Sequence, residues 1–115
     1  MNSQLAGRMG EAKAAEYLRK QRYEILAAGY RGRFGEIDLI ARKKDIVVFV
    51  EVKLRKDSGF AYGLEAVNAA KQRKIIATAL QWMQSKNDHR QMRFDVIEVY
   101  TDTGKLNHIE NAFQA

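Results

Sequence analysis

The chain has no cysteine, no proline, only two histidines and no long apolar run. Without cysteine, neither a disulfide nor a thiolate zinc site can form, which fits a reducing compartment. Without proline, nothing interrupts the helical period near the N-terminus. His89 and His108 stand apart, lack metal-ligand spacing and are expected at the surface. No apolar stretch approaches the roughly 20 residues of a membrane span, and the first residues lack the apolar core of a signal peptide. The expectation is a cytoplasmic protein with no membrane partner. Internal repeats, low-complexity segments and linkers are also missing, so residues 1–115 are expected to form one domain.

What is present in excess is positive charge. The net charge is +6 and the pI about 9.7. Arg8, Lys13, Arg19, Lys20, Arg22, Arg31 and Arg33 precede residue 35, against Glu11, Glu16 and Glu24, and Lys71, Arg73 and Lys74 form a second basic group. Such a balance favours polyanions, nucleic acid first among them. A solubilising surface explains the charge about as well. A hydrophobic fraction of 46% is ordinary for a globular chain.

Residues 4–21 read as a helix, with Gly7, Glu11, Ala14, Ala15 and Leu18 on one face and Ser3 as N-cap. Residues 23–28 read as a strand, with Gly29 and Gly32 as punctuation. Two further strands, 36–43 and 46–55, follow. Asp57-Ser58-Gly59 has turn chemistry, and residues 60–63 read as a loop. A helix is expected from about 64 to 86, burying Gln72, Ile76, Ala79, Leu80 and Met83, with Lys86-Asn87-Asp88 ending it. Strands at 93–100 and 106–110 flank the turn Asp102-Thr103-Gly104. The order α-β-β-β-α-β-β predicts an α/β domain, a mixed β-sheet with flanking helices.

The middle strands carry the chemistry. With Lys44-Asp45 as the turn, residue 43 faces 46, Ala41 faces Val48, Leu39 faces Val50, and Ile37 faces Val52. On the other face Asp38 opposes Glu51, and Glu36 opposes Lys53. Opposed Cβ atoms lie roughly 5 Å apart, so two carboxylates there repel unless something positive lies between them. A divalent metal with oxygen ligands answers that need, and the Val52 carbonyl is a further oxygen donor. Phosphodiester hydrolysis needs an activated water and a sink for charge on the phosphate. A metal held by Asp38 and Glu51, with Lys53 beside the water, meets both requirements. The expected cofactor is Mg²⁺ or Mn²⁺. The alternative for Asp38, Glu51 and Lys53 is an ordinary charged sheet face.

Asp38 followed by Glu51-Val52-Lys53 resembles the PD-(D/E)XK nuclease signature, and the element order is similar to that superfamily's αβββαβ restriction-endonuclease-like core. More closely, the chain resembles the YraN-like family of small bacterial proteins. The matching text is Gly10-Glu11-x-x-Ala14-x-x-Tyr17-Leu18, then Tyr30-Arg31-x-Arg33-x-Gly35-Glu36-Ile37-Asp38-Leu39-Ile40-Ala41, then Val48-Phe49-Val50-Glu51-Val52-Lys53-x-Arg55. It continues through Glu65-Ala66-Val67, Lys71-Gln72, Phe94-Asp95-Val96 and Glu110-Asn111-Ala112-Phe113. Gly29 stands where the family pattern leads one to expect asparagine, Arg22 where it leads one to expect glycine, and the signature's proline is missing. The resemblance implies a nuclease-like fold, nucleic-acid binding and Glu11 as a further metal ligand. Cleavage of DNA, branched DNA included, would follow from the same likeness.

Other candidates carry two readings each. Glu11 is either that ligand or a half-exposed glutamate paired with an arginine. Glu36 is either an accessory metal contact or a cross-strand partner of Lys53. Gln72 either faces the cleft or caps the core edge. Lys71, Arg73 and Lys74, with Arg31 and Arg33, are phosphate contacts or a solvated face. Arg55, with Phe60 and Tyr62, either grips nucleic acid or packs a loop. Three functions are carried forward: a metal-dependent endonuclease, a nucleic-acid-binding module that is silent or needs a partner protein or homodimer, and a protein-interaction domain with a basic surface.

Overall fold

Residues 47–50 are apolar without a break, and they form the centre of a sheet covered on both faces. The computed structural model describes residues 3–56 and 67–115. Their order is α1 (Ser3–Lys20), β1 (Glu24–Arg31), β2 (Glu36–Lys43), β3 (Ile46–Arg55), α2 (Ala69–Ser85), β4 (Gln91–Tyr100) and β5 (Leu106–Phe113). The strands lie in the order β1-β2-β3-β4-β5. All neighbours are antiparallel except β3 and β4, which are parallel and joined through α2. This is the mixed α/β architecture expected, and β2 and β3 have the expected bounds. The turn at 57–59, the loop at 60–63, and Phe60 and Tyr62 lie outside the described residues.

Each helix closes one face. On the α1 side Ala14, Ala15 and Leu18 pack with Leu39, Ala41, Val48 and Val50. On the α2 side Ile75, Ala79, Trp82 and Met83 pack with Ile40, Val47 and Phe49. The charged face expected on the hairpin is therefore confined to one end, beyond Ile40 and Phe49. The buried face of α2 also differs from expectation. Ile75, Thr78, Ala79, Trp82 and Met83 are buried, whereas Leu80 is 44% exposed. Trp82 turns the helix, because its indole meets the Phe49 ring edge-on at 6.0 Å.

Left-handed backbone explains the departures at Arg22 and Gly29. After α1, Tyr23 N–H donates to the Leu18 carbonyl at 2.9 Å, and Arg22 has φ +71°. That is the left-handed C-terminal stop that glycine favours. Gly29 has φ +64°, where asparagine is the other residue that fits easily. Asn68 caps α2 by accepting from Lys71 N–H at 2.8 Å.

Candidate functional site

Alternation carries chemistry to the end of the α2 face. Two residues beyond Ile40 is Asp38, and two beyond Phe49 is Glu51, followed by Lys53. The β2–β3 ladder has the expected register through Leu39–Val50 and ends there. Beyond that pair the strands part, and the Asp38 carboxylate replaces the missing ladder acceptor. Its Oδ2 receives the Val52 N–H at 2.8 Å. The backbone thus fixes one oxygen of Asp38, which a freely rotating acid would lack.

Glu51 is 7% exposed, and its Oε1 is shared by two ammonium groups: Lys71 Nζ at 2.7 Å and Lys53 Nζ at 3.5 Å. Lys71 arrives from α2 because it lies one turn before Ile75, on the face that α2 truly buries. It was expected among phosphate contacts; its place on Glu51 was readable only from the correct helical face. Burial pushes the Asp38 carboxyl up to about 7, with the charge of Glu51 second, while the Val52 hydrogen bond opposes the rise. Burial also raises Glu11, and Glu36 and Glu51 add to it. Lys53 is lowered by burial and by Lys71, against the pull of Glu51. Burial pulls Lys71 down as well, but its hydrogen bond and ion pair with Glu51 outweigh that and leave it raised.

Glu11, from the helix on the other side of the sheet, thus enters the same acidic field. Among the described residues, no three acidic or histidine side chains form a ready metal cage. Magnesium needs none, because one or two carboxylates commonly hold it while it keeps several waters. Asp38 and Glu51 fit that requirement: the charge of Glu51 raises the cost of charging Asp38, and a divalent ion would relieve it. Lys71 and Lys53 supply the positive charge to Glu51 here.

Other candidates are placed differently. Glu36 does not face Lys53; its Oε2 pairs with Arg31 Nη2 at 3.1 Å across β1–β2. Ile37, expected opposite Val52, packs on the α2 side instead, because the strands have parted. The Gln72 amide donates to the Val67 carbonyl at 3.0 Å, at the start of α2. Arg55 turns inward, its Nε 3.2 Å from Glu98 Oε2, a carboxylate with no exposure that also accepts from Tyr100 and Asn107. Arg33, Arg73 and Lys74 are exposed.

His108 corrects its expected surface position. Its side chain is 7% exposed, with Nε2 2.7 Å from Asp95 Oδ2 and Nδ1 3.0 Å from the Tyr17 hydroxyl. Arg93 also holds Asp95, at 2.7 Å, and reaches the Tyr23 hydroxyl at 2.8 Å. A neutral imidazole satisfies both contacts if Nε2–H donates and Nδ1 accepts from Tyr17. This network pins α1 to β4 and β5. Nothing in the residue spacing announced it, since its members come from α1, β4, β5 and the turn before β1. His89 is exposed, as expected.

Comparison with known proteins fits the likeness carried by residues 35–41 and 48–53. Residues 10–99 match the family model described as "Uncharacterised protein family UPF0102". A UPF0102 protein of Caldanaerobacter subterraneus is 45% identical over 98% of this chain and 98% of its own length. One from Clostridioides difficile is 43% identical over 98% and 100%, and one from Persephonella marina 44% over 98% and 97%. The chain belongs to the UPF0102 family.

Proposed function

We propose that this protein is a metal-dependent endonuclease that hydrolyses phosphodiester bonds in DNA. The observation that carries the reading is the Glu51 carboxylate, buried between two lysines beside an Asp38 whose charge is costly. A fold spends stability on such a group where chemistry uses it. The basic balance of the chain, +6 overall, supports a polyanionic substrate.

Asp38 and Glu51, with the Val52 carbonyl, would hold Mg²⁺ or Mn²⁺, which supplies Lewis acidity and a more acidic water when bound. Lys53 would then stand beside the reacting water, orienting it and offsetting the developing negative charge. Lys71, released from Glu51 by a competing cation, would meet the charge growing on the phosphate. Arg73 and Lys74, exposed farther along α2, would hold the flanking backbone.

The existing ion pairs favour a second reading as well. Because Lys71 and Lys53 already neutralise Glu51, the domain could bind nucleic acid and leave cleavage to a partner. Incubation of plasmid and branched DNA with Mg²⁺ or Mn²⁺ separates the two. Cleavage lost in both Asp38→Asn and Lys53→Ala, with unchanged circular dichroism, supports the nuclease. Cleavage equal to wild type in both variants would assign the activity to a contaminant. Binding without cleavage in every metal would leave the binding module.

A further inference from the structure

Among the described residues, four large apolar side chains are prominently exposed: Met9, Phe34, Leu54 and Leu80. Phe34, 51% exposed, differs from the others in two respects: it is aromatic, and it stands at the tip of the β1–β2 turn between Arg33 and the strand that carries Asp38. Arg33 carries its guanidinium carbon 5.8 Å from the Phe34 ring centroid. A solvent-facing ring beside a guanidinium is the usual equipment for holding a base without reading its sequence.

The turn is held firmly. Gly32 N–H donates to the Gly35 carbonyl at 2.8 Å, and Arg33 N–H donates to Gln81 Oε1 of α2 at 2.8 Å. A Cβ on Gly32 would fall 2.5 Å from that same Gln81 oxygen and 3.1 Å from Thr78 Cγ2, so the backbone lies flat against the helix. Phe34 therefore projects from a fixed base, and little entropy is lost when it meets a ligand.

The turn also leads to the acidic site. A Cβ on Gly35 would lie 3.9 Å from Lys74 Cβ, and one turn toward the start of α2 from Lys74 is Lys71, on Glu51. Four residues separate Phe34 in the turn from Asp38 in β2, at most about 13 Å of chain at about 3.3 Å each. That distance is about four base steps of stacked DNA at 3.4 Å each. Within a duplex, bases are stacked on each other and offer Phe34 no open face.

Resting on the nuclease reading, we propose that Phe34 and Arg33 form a stacking site for an unpaired base of DNA, a few nucleotides from the bond presented to Asp38 and Glu51. The substrate class is single-stranded or branched DNA rather than continuous duplex. Arg33 and Arg31 meet the adjoining phosphates, and Phe34 takes the exposed base face.

The test uses the full chain, with a 2-aminopurine-labelled single strand, a flapped duplex and a blunt duplex as probes. Fluorescence anisotropy gives affinity and 2-aminopurine quenching reports stacking. The wild type should prefer the single strand and the flap, and should quench the probe. Phe34→Ala should weaken both by about tenfold and abolish quenching, leaving blunt duplex within twofold. Phe34→Trp should retain affinity and quenching. Equal affinity of Phe34→Ala and wild type for the single strand overturns the proposal, and so does an equal loss on blunt duplex. Asp38→Asn should still quench, and quenching without cleavage by any form of the protein, wild type included, sinks the nuclease and leaves the stacking site. Cleavage that Phe34→Ala leaves unchanged on every substrate, with no quenching in the wild type, does the reverse. A wild type that binds none of the three probes overturns both.

Discussion

Replacing Asp38 by asparagine should stabilise the protein at high pH while removing its proposed activity. The ordinary aspartate pKa of 3.8 rises to about 7 in the fold. At about 1.4 kcal/mol per pH unit, that difference is worth about 4 kcal/mol against the charged folded state. Some solvent reaches the group and Glu51 shares the coupling, so about 2 kcal/mol is the working figure. The sign follows from proton binding. Between pH 4 and 7 the folded protein holds a proton that the unfolded chain has released, so stability falls as pH rises through this window. Below it the penalty vanishes, and above it the penalty is complete. Asparagine cannot ionise, and its carbonyl oxygen can still accept from Val52 N–H. Urea denaturation of wild type and Asp38→Asn at pH 5 and pH 8 measures the effect. Asp38→Asn should gain about 2 kcal/mol at pH 8 and under half as much at pH 5. A variant less stable than wild type at pH 8, or a gain independent of pH, would refute the argument that the carboxylate is held under electrostatic strain.

Calorimetric titration of Mg²⁺ should give binding to wild type and none to Asp38→Asn, while Lys71→Ala, lacking the competing ammonium, should bind about tenfold more tightly. An unchanged affinity in Lys71→Ala would mean that the ion does not use Glu51. Arg22→Gly should stabilise the fold by about 1 kcal/mol in thermal melts, because φ +71° strains a side chain there; a loss would count against the backbone argument. Arg55→Ala should cost about 3 kcal/mol by leaving Glu98 buried without its cation, yet alter DNA affinity little; the opposite pattern would restore Arg55 to the binding surface. DNA affinity of the wild type should fall steeply with salt as counterions are released, and a flat dependence would exclude phosphate contacts.

How much of this was legible in residue order varies by element. The β2–β3 hairpin was, down to its register, because alternating apolar residues can pair in only one way with Leu39 and Val50 both inside. The same alternation put Asp38 and Glu51 near enough to couple, although the ladder stops one pair short of setting them directly opposite. It misplaced Glu36 and Ile37, since the strands part at Asp38 and pairing arithmetic assumes that a ladder continues. The face of α2 was misread by about one residue, because the period was laid through Leu80 and passed over Trp82. The indole's contact with Phe49 decides that rotation, and with it the arrival of Lys71 at Glu51.

Residue order by itself determined the sequence of elements, the acidic pair with its lysine, and the family, because each of these is local or strictly periodic. Only the tertiary structure decided which charges meet. Arg55 on Glu98, Arg31 on Glu36, and Asp95 on His108, which in turn meets Tyr17, join positions from separate elements. Such pairings follow from where packing brings the elements together, and long side chains then find the nearest opposite charge, which no spacing along the chain encodes.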